Sequence, residues 1–122
     1  MHKSRLCAIA IDCQVEDLDA AAQSWAAALG RPPKRRHGTK YIGFEDRPNQ
    51  PLAFVQKVTH PSRVHLDIET DNVEAEVERL EALGAKRLEK VEDWWVLEAP
   101  TGHRFCVVPP QRETLGPDAN TW

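Results

Sequence analysis

Between Arg63 and Glu69 the chain alternates Val64, Leu66 and Ile68 with His65, Asp67 and Glu69. That period of two predicts a strand with one face on a core and the other toward something polar, and it puts His65 on the polar face. Asp71, with Glu74 three residues on, has the layout of a capped helix start. Val73, Val77, Leu80 and Leu83 supply the apolar stripe of that helix at steps of three and four, and Gly84 suits the left-handed position past its end. Glu74, Glu76, Glu78 and Glu81 read as its solvated face. A second alternation runs from Leu6 to Cys13, with Cys7, Ile9, Ile11 and Cys13 on the expected core face and Leu6, Ala8, Ala10 and Asp12 on the other. Asp17 predicts the cap of a helix running to Leu29; Leu18, Ala22, Trp25 and Leu29 fall on one side of it, and Gly30 with Pro32 ends it.

The remaining segments read as short antiparallel strands. After the first helix they are Pro33 to His37, Lys40 to Glu45 and Leu52 to Val58; after Gly84 they are Lys86 to Val91, Asp93 to Glu98 and Arg104 to Val108. Turns are expected at His37–Gly38, Arg47–Pro48–Asn49 and Pro100–Thr101–Gly102. Each half is thus strand, helix and three strands, an α+β pattern stated twice. Ala28–Leu29–Gly30 answers Ala82–Leu83–Gly84, and Asp17 answers Asp71, at an offset of 54. The strands need one residue more, an offset of 55, which sets Ala10 opposite His65 and Asp12 opposite Asp67. Residues 110–122, opening on Pro110 and without periodicity, are expected to be an irregular tail.

Composition narrows the class without naming a reaction. A chain of 122 residues is long enough for one core, and 41% hydrophobic with 29% charged residues is the balance of a soluble globular protein. A net charge of -3 gives no general pull toward nucleic acid or an anionic membrane, and no apolar run approaches a bilayer span. The start, MHKSRLCAIAIDC, lacks the apolar length of a signal peptide, so the expected location is cytoplasmic. Cys7, Cys13 and Cys106 are odd in number with no CxxC spacing, which supports neither a disulfide framework nor a zinc knuckle. Lys34, Arg35, Arg36, His37 and Lys40 form the basic run, read as a charged strand edge. Were one of them to turn inward, an anionic small molecule would be its natural partner.

Candidate chemistry centres on His65. Its bland reading is a histidine bonded to Asp67 or solvent; its sharp reading is a metal ligand or a general base oriented by a neighbouring carboxylate. Cys106 alternates with Phe105 and Val107, which are expected in the core, so it shares the other face with Arg104; it reads as an inert thiol unless Arg104 favours the thiolate. Of Trp94 and Trp95, one must face the core and one away, while Trp25 is expected in the core and Trp122 either disordered or closed over a neighbouring surface.

Two βαβββ modules, the run His65–Leu66–Asp67–Ile68 leading into a capped helix that ends in Ala82–Leu83–Gly84–Ala85, and a last strand introduced by PTGHRFCVV together resemble the vicinal oxygen chelate superfamily. The resemblance is to its small glyoxalase-like domains and covers residues 5 to 109. It implies a domain over 1–109, with modules of about 5–58 and 63–109, forming an open barrel-like cleft, followed by the tail 110–122. It further implies that four inward residues, on the first and last strands of each module, can hold a divalent metal. Here those positions fall on Ala10, Gln56 or Phe54, His65 and Cys106. Alanine has no donor, Cys106 stands where glyoxalase I and the dioxygenases carry a carboxylate, and of the pair on one strand only Gln56 could ligate.

A metal (zinc, nickel, iron or manganese) on His65, Cys106 and Gln56 is the set so implied, but the donor count argues for no resident ion, and a dioxygenase site of two histidines and a carboxylate is not present. The resemblance implies a small-molecule ligand held by Asp12, Gln56, Asp67 and Arg104, with His65 as catalytic base or ligand in lyase or isomerase chemistry. The competing implication is a metal-free, drug-sequestering protein of the resistance type, and a homodimer is the family expectation.

Overall fold

In the computed structural model the described residues are 1–113 and 115–122; Thr114, in the segment expected to be irregular, lies outside them. The elements follow in the order β1 (Lys3–Cys13), α1 (Leu18–Leu29), β2 (Pro33–His37), β3 (Tyr41–Phe44), β4 (Leu52–Lys57), β5 (Arg63–Thr70), α2 (Val73–Ala82), β6 (Lys86–Val91), β7 (Trp94–Glu98), β8 (Arg104–Val108) and β9 (Asn120–Thr121). The βαβββ order thus occurs twice, the α+β architecture expected. The chain forms two compact units, Ala8–His65 and Met1–Cys7 with Leu66–Trp122, so β1 and β5 each contribute to both.

In the unit Ala8–His65, β2 pairs with β3 and β3 with β4 in antiparallel fashion, while β4 lies parallel to β1. The parallel pair follows from the crossover through α1. Asp17 caps α1 by accepting from the Ala20 N–H, and Gly30 leaves the helix at φ 68°, the left-handed exit that glycine adopts without a Cβ clash. The core lies between this helix and the sheet: Leu18 and Ala22 pack on Ile11, Cys13, Ile42, Phe44, Ala53 and Val55, flanked by Val15, Ala21 and Ala26.

Two expectations fail here. Trp25 and Leu29 are 39% and 43% exposed rather than core, because alanines carry the contact and bring the helix too close to the sheet for an indole beneath it. In β1 Ile9 is exposed while Ala8, Ala10 and Asp12 are buried, so the simple in-out reading does not hold; a strand covered on both faces loses its polar side. The basic run behaves as expected. Every residue of β2 is exposed, Arg35 pairs with Asp46 at 2.9 Å and Arg36 pairs with Asp19.

In the other unit, β5 lies parallel to β8, and β7 pairs antiparallel with both β8 and β6. Helix α2 covers one face, with Val77 packed on Leu97 and Val107 and with Val73, Leu80, Ala85, Trp95 and Phe105 beside them. Of the adjacent tryptophans, Trp95 is therefore the one turned to the core. The tail is not irregular throughout. β9 pairs antiparallel with Lys3 and Ser4 of β1, the Trp122 indole donates to Ser4 Oγ at 2.8 Å, and the Arg79 guanidinium lies 3.7 Å over the Trp122 ring.

Strand β5 also departs from its pattern. Val64 and Leu66 are 54% and 45% exposed, whereas Asp67 is nearly and Glu69 fully buried, so the alternation is real but its apolar side is the open one. Hydrogen bonding makes this tolerable for Glu69, whose carboxylate is saturated as described below. The cap of α2 is Asn72, whose side chain accepts from the Ala75 N–H; Asp71 instead accepts from the Lys3 N–H at 2.8 Å. Glu76 is fully buried rather than solvated, taking two bonds from Arg79 and one from His2. Leu83, at the end of the expected stripe, is exposed just before Gly84, which turns the chain at φ 105°. Among the described residues no helix is long and apolar enough to cross a membrane.

Candidate functional site

Asp12 is the penultimate residue of β1, and alternation turns it to the face opposite α1, since Ile11 and Cys13 face the helix. Its register partner on β4 is Gln56, and Ala10 in the same way partners Phe54. Across β3, Tyr41 partners Gln56, so Tyr41, Phe54 and Gln56 share the face of Asp12. His65 of β5 donates or accepts at Nδ1 to Asp12 Oδ2 over 2.8 Å. An ionised carboxylate only accepts, so this bond fixes the ring hydrogen on Nδ1 and makes Nε2 the basic nitrogen. The imidazole meets the Phe54 ring edge to face, with centroids 6.4 Å apart, and Phe54 meets Tyr41 likewise at 6.0 Å. Gln56 Nε2 lies 3.4 Å from the Tyr41 hydroxyl.

The linker ahead of β5 adds a second imidazole. Gln14 pins it to the end of β1: the Gln14 N–H donates to Ser62 Oγ at 2.9 Å and its side-chain amide to the Thr59 carbonyl at 2.8 Å. That places His60 Nε2 3.9 Å from Asp12 Oδ2. The other ring nitrogen of His60, Nδ1, donates to the Pro61 carbonyl at 2.8 Å. The Asp12 side chain is only 5% exposed, and its Oδ1 is buried with no hydrogen-bond partner among the described residues. The adjacent Cys13 thiol is pushed up, first by burial and then by the negative charge of Asp12.

Repeating the register in the other unit gives Asp67 opposite Cys106, where Asp12 stands opposite Gln56. The two pairs are related by the internal repeat, which separates Gln56 from Phe54: Gln56 is the counterpart of Cys106. Asp67 is nearly buried and Cys106 half-buried; Arg104, two residues earlier on β8, is exposed beside Glu98 on β7. Cys7 is pushed up to about 12 by burial and then by Glu69 and Asp67, so it is an inert thiol.

Glu69 is bound on all sides. Oε1 accepts the N–H groups of Gln111 and Arg112, and Oε2 accepts Nε of Arg5 and of Arg112, at 2.8 to 3.2 Å. Burial pushes its carboxyl up, but those donors outweigh it and hold it below the usual carboxylate range. Arg5 extends the network through a two-oxygen bond to Asp118.

Of the residues singled out from sequence, the unit Ala8–His65 therefore brings together Asp12, Gln56 and His65, and the other unit brings Asp67 beside Cys106, with Arg104 farther along β8. Alternation also sets His65 and Asp67 on one face of β5. Imidazole, carboxylate and thiol donors of this kind suit zinc better than a hard cation, whereas Ala10, fully buried, offers no donor. His60 and Tyr41 escaped the sequence reading. His60 stands in a non-periodic linker, and the only signal was its position five residues before His65.

A model of the glyoxalase-like domain family matches residues 8–108. None of the curated proteins matches. Among solved structures, methylmalonyl-CoA epimerase from Mycobacterium tuberculosis is 12% identical with a TM-score of 0.65, covering 88% of this chain and 89% of that one. The Mn(II)-bound glyoxalase from Novosphingobium aromaticivorans is 15% identical with a TM-score of 0.62; the match covers 96% of this chain and 44% of that one, so the chain spans less than half of that protein. A glyoxalase/bleomycin resistance protein/dioxygenase superfamily member from Vibrio splendidus 12B01 is 14% identical with a TM-score of 0.54, covering 84% and 98%. At these identities the likeness is one of fold, and with the family match it leads to one conclusion: the chain belongs to the glyoxalase-like domain family.

Proposed function

We propose that the protein binds a small organic molecule on the face carrying Asp12, Gln56 and His65, and that His65 acts there as a general base in lyase or isomerase chemistry. The observation that carries this reading is the 2.8 Å bond from His65 Nδ1 to the buried Asp12 carboxylate. A carboxylate in that position holds one tautomer, directs the Nε2 lone pair away from itself, and stabilises the imidazolium formed when Nε2 takes a proton from a carbon acid. Tyr41 and Phe54 supply the apolar wall a ligand body needs, and Gln56 a neutral polar contact. Asp67 and Arg104 are proposed as ligand contacts of the other unit, the glyoxalase-like domain as residues 1–109, and the working form as a homodimer.

The same Nε2 lone pair could serve a metal, with Asp12 then acting as the outer carboxylate that orients a ligating histidine. Proton transfer without a resident metal is the preferred version, because Ala10 offers no donor and Gln56 only a weak amide. A non-catalytic, sequestering role is the second reading, favoured by the fully buried Ala10 at the expected ligand position.

The test is a thermal-shift screen of small carbon acids, followed by solvent deuterium exchange into each compound that binds. Exchange in the intact protein that falls at least 100-fold in His65→Ala, with binding retained, is the expected result. Binding without exchange would replace the enzyme by the sequestering reading. No binding by any compound, in a chain that remains folded, would remove both.

A further inference from the structure

Asp12 is a buried carboxylate with two imidazoles, of His60 and His65, as partners among the described residues. His65 satisfies one edge of Oδ2, while Oδ1 is left without a partner. A buried carboxylate in this state is costly, since charge removed from water is normally matched by an opposite charge or a full set of donors. His60 lies against the other oxygen, Oδ2, and in its neutral form adds no donor to it. The Pro61 carbonyl can only accept, so the His60 hydrogen resides on Nδ1, and Nε2 presents a lone pair toward Asp12. Two acceptors thus face each other across 3.9 Å, too far to bond directly. A single donor atom placed beside the gap reaches both at about 2.9 Å.

A bridging water offers two hydrogens but no charge to offset the carboxylate, whereas a group with several hydrogens and a positive charge supplies both. A hydroxyl has one hydrogen and cannot serve both acceptors, and an anion would meet a carboxylate. A protonated primary amine has three hydrogens and the right sign. The surroundings suit its organic part: the Phe54 and Tyr41 rings lie on the same face and meet edge to face. We infer that the Asp12–His60 position is an ammonium subsite, and that the ligand bound beside His65 is an amine with an apolar or aromatic body. The inference rests on the ligand-binding reading proposed above and names its ligand class.

The experiment records histidine ring signals of the full chain by NMR during titration with 2-phenylethylamine, 2-phenylethanol, 3-phenylpropanoate and manganese(II). The amine is expected to shift the His60 and His65 signals in a saturable way, with the alcohol and the carboxylate at least 10-fold weaker. Asp12→Asn is expected to weaken the amine at least 10-fold, and by a larger factor than the alcohol; His60→Ala, at a more exposed position, should weaken the amine several-fold and guards against a folding defect in the first variant. Equal response to alcohol or carboxylate, or amine binding indifferent to both substitutions, overturns the ammonium subsite while leaving ligand binding at His65 in place. Broadening of the His60 signals by manganese(II) at concentrations below those at which the amine acts would make it a metal position and overturns the inference as well. If no probe of any charge disturbs His65, the ligand-binding reading falls with it.

Discussion

Asp12 and Glu69 are both buried carboxylates on strands that open their module's sheet, and they are satisfied in opposite ways. Glu69 receives at least four hydrogen bonds, two from backbone N–H groups and two from guanidinium groups, and is held ionised. Asp12 receives one from an imidazole and leaves an oxygen without a partner. Neither arrangement follows from burial, which is nearly equal. A saturated carboxylate is a cross-link: Glu69 ties β1, β5 and the tail together through Arg5 and Arg112. An unsaturated one is poised to accept something.

The contrast can be broken most severely at Glu69. Glu69→Ala strands Arg5 and Arg112 without their shared partner, and is expected to destabilise the protein by about 3 kcal/mol or more, read from urea unfolding. Loss of less than about 1 kcal/mol would mean that the cross-link is not structural. Asp12→Asn should behave differently. It removes an under-compensated charge, so the unfolding midpoint should stay within about 1 kcal/mol of the parent, or rise, even where ligand response is lost.

Acid titration sharpens the same comparison. For Glu69 and Glu76 burial pushes the carboxyl up, but hydrogen bonds outweigh it and the folded groups sit below their unfolded values; in Glu76 the donors are Arg79, His2 and Ser4. Stability from both is therefore complete above the unfolded carboxylate range and is lost as pH falls through the folded values. Thermal midpoints should drop on acidification below about pH 4.5, and Glu69→Gln should flatten part of that slope. A slope unchanged by Glu69→Gln would place the acid sensitivity elsewhere.

Smaller effects are expected at the edges. Removing Trp122 takes away its bond to Ser4 and its stacking with Arg79, and should cost about 1 to 2 kcal/mol. Leu66→Ser, on the open side of β5, should change stability by about 0.5 kcal/mol or less in a monomer. A larger loss that depends on protein concentration would show that a second copy covers this strand.

Much of the fold was legible because it depends on local chemistry. The helix α1 begins at Asp17 and exits at Gly30, where a short oxygen-bearing side chain and a residue without Cβ meet requirements that hold in any context. The succession of strand, helix and three strands was read twice from periodicity and turn residues, and the pairing of Asp12 with Gln56 and of Asp67 with Cys106 repeats within each unit. The cap of α2 was missed by one residue, since Asp71 and Asn72 are both competent and only the Lys3 N–H, distant in sequence, draws Asp71 away. Asp12, Gln56 and His65 were picked out as individuals, and the bond joining two of them was not.

The sequence alone determined the two βαβββ modules, their helix ends and the family, because periodicity and capping act over a few residues. Tertiary structure decided which polar groups go inside. Val64 and Leu66 lie open while Glu69 and Glu76 are buried, the reverse of what hydropathy orders, because the cost of burying a carboxylate depends on donors that arrive from Arg5, Arg112, Arg79 and His2. The same reason hides the character of Asp12. Its incomplete coordination is a property of what surrounds it in space, and no spacing along the chain records it.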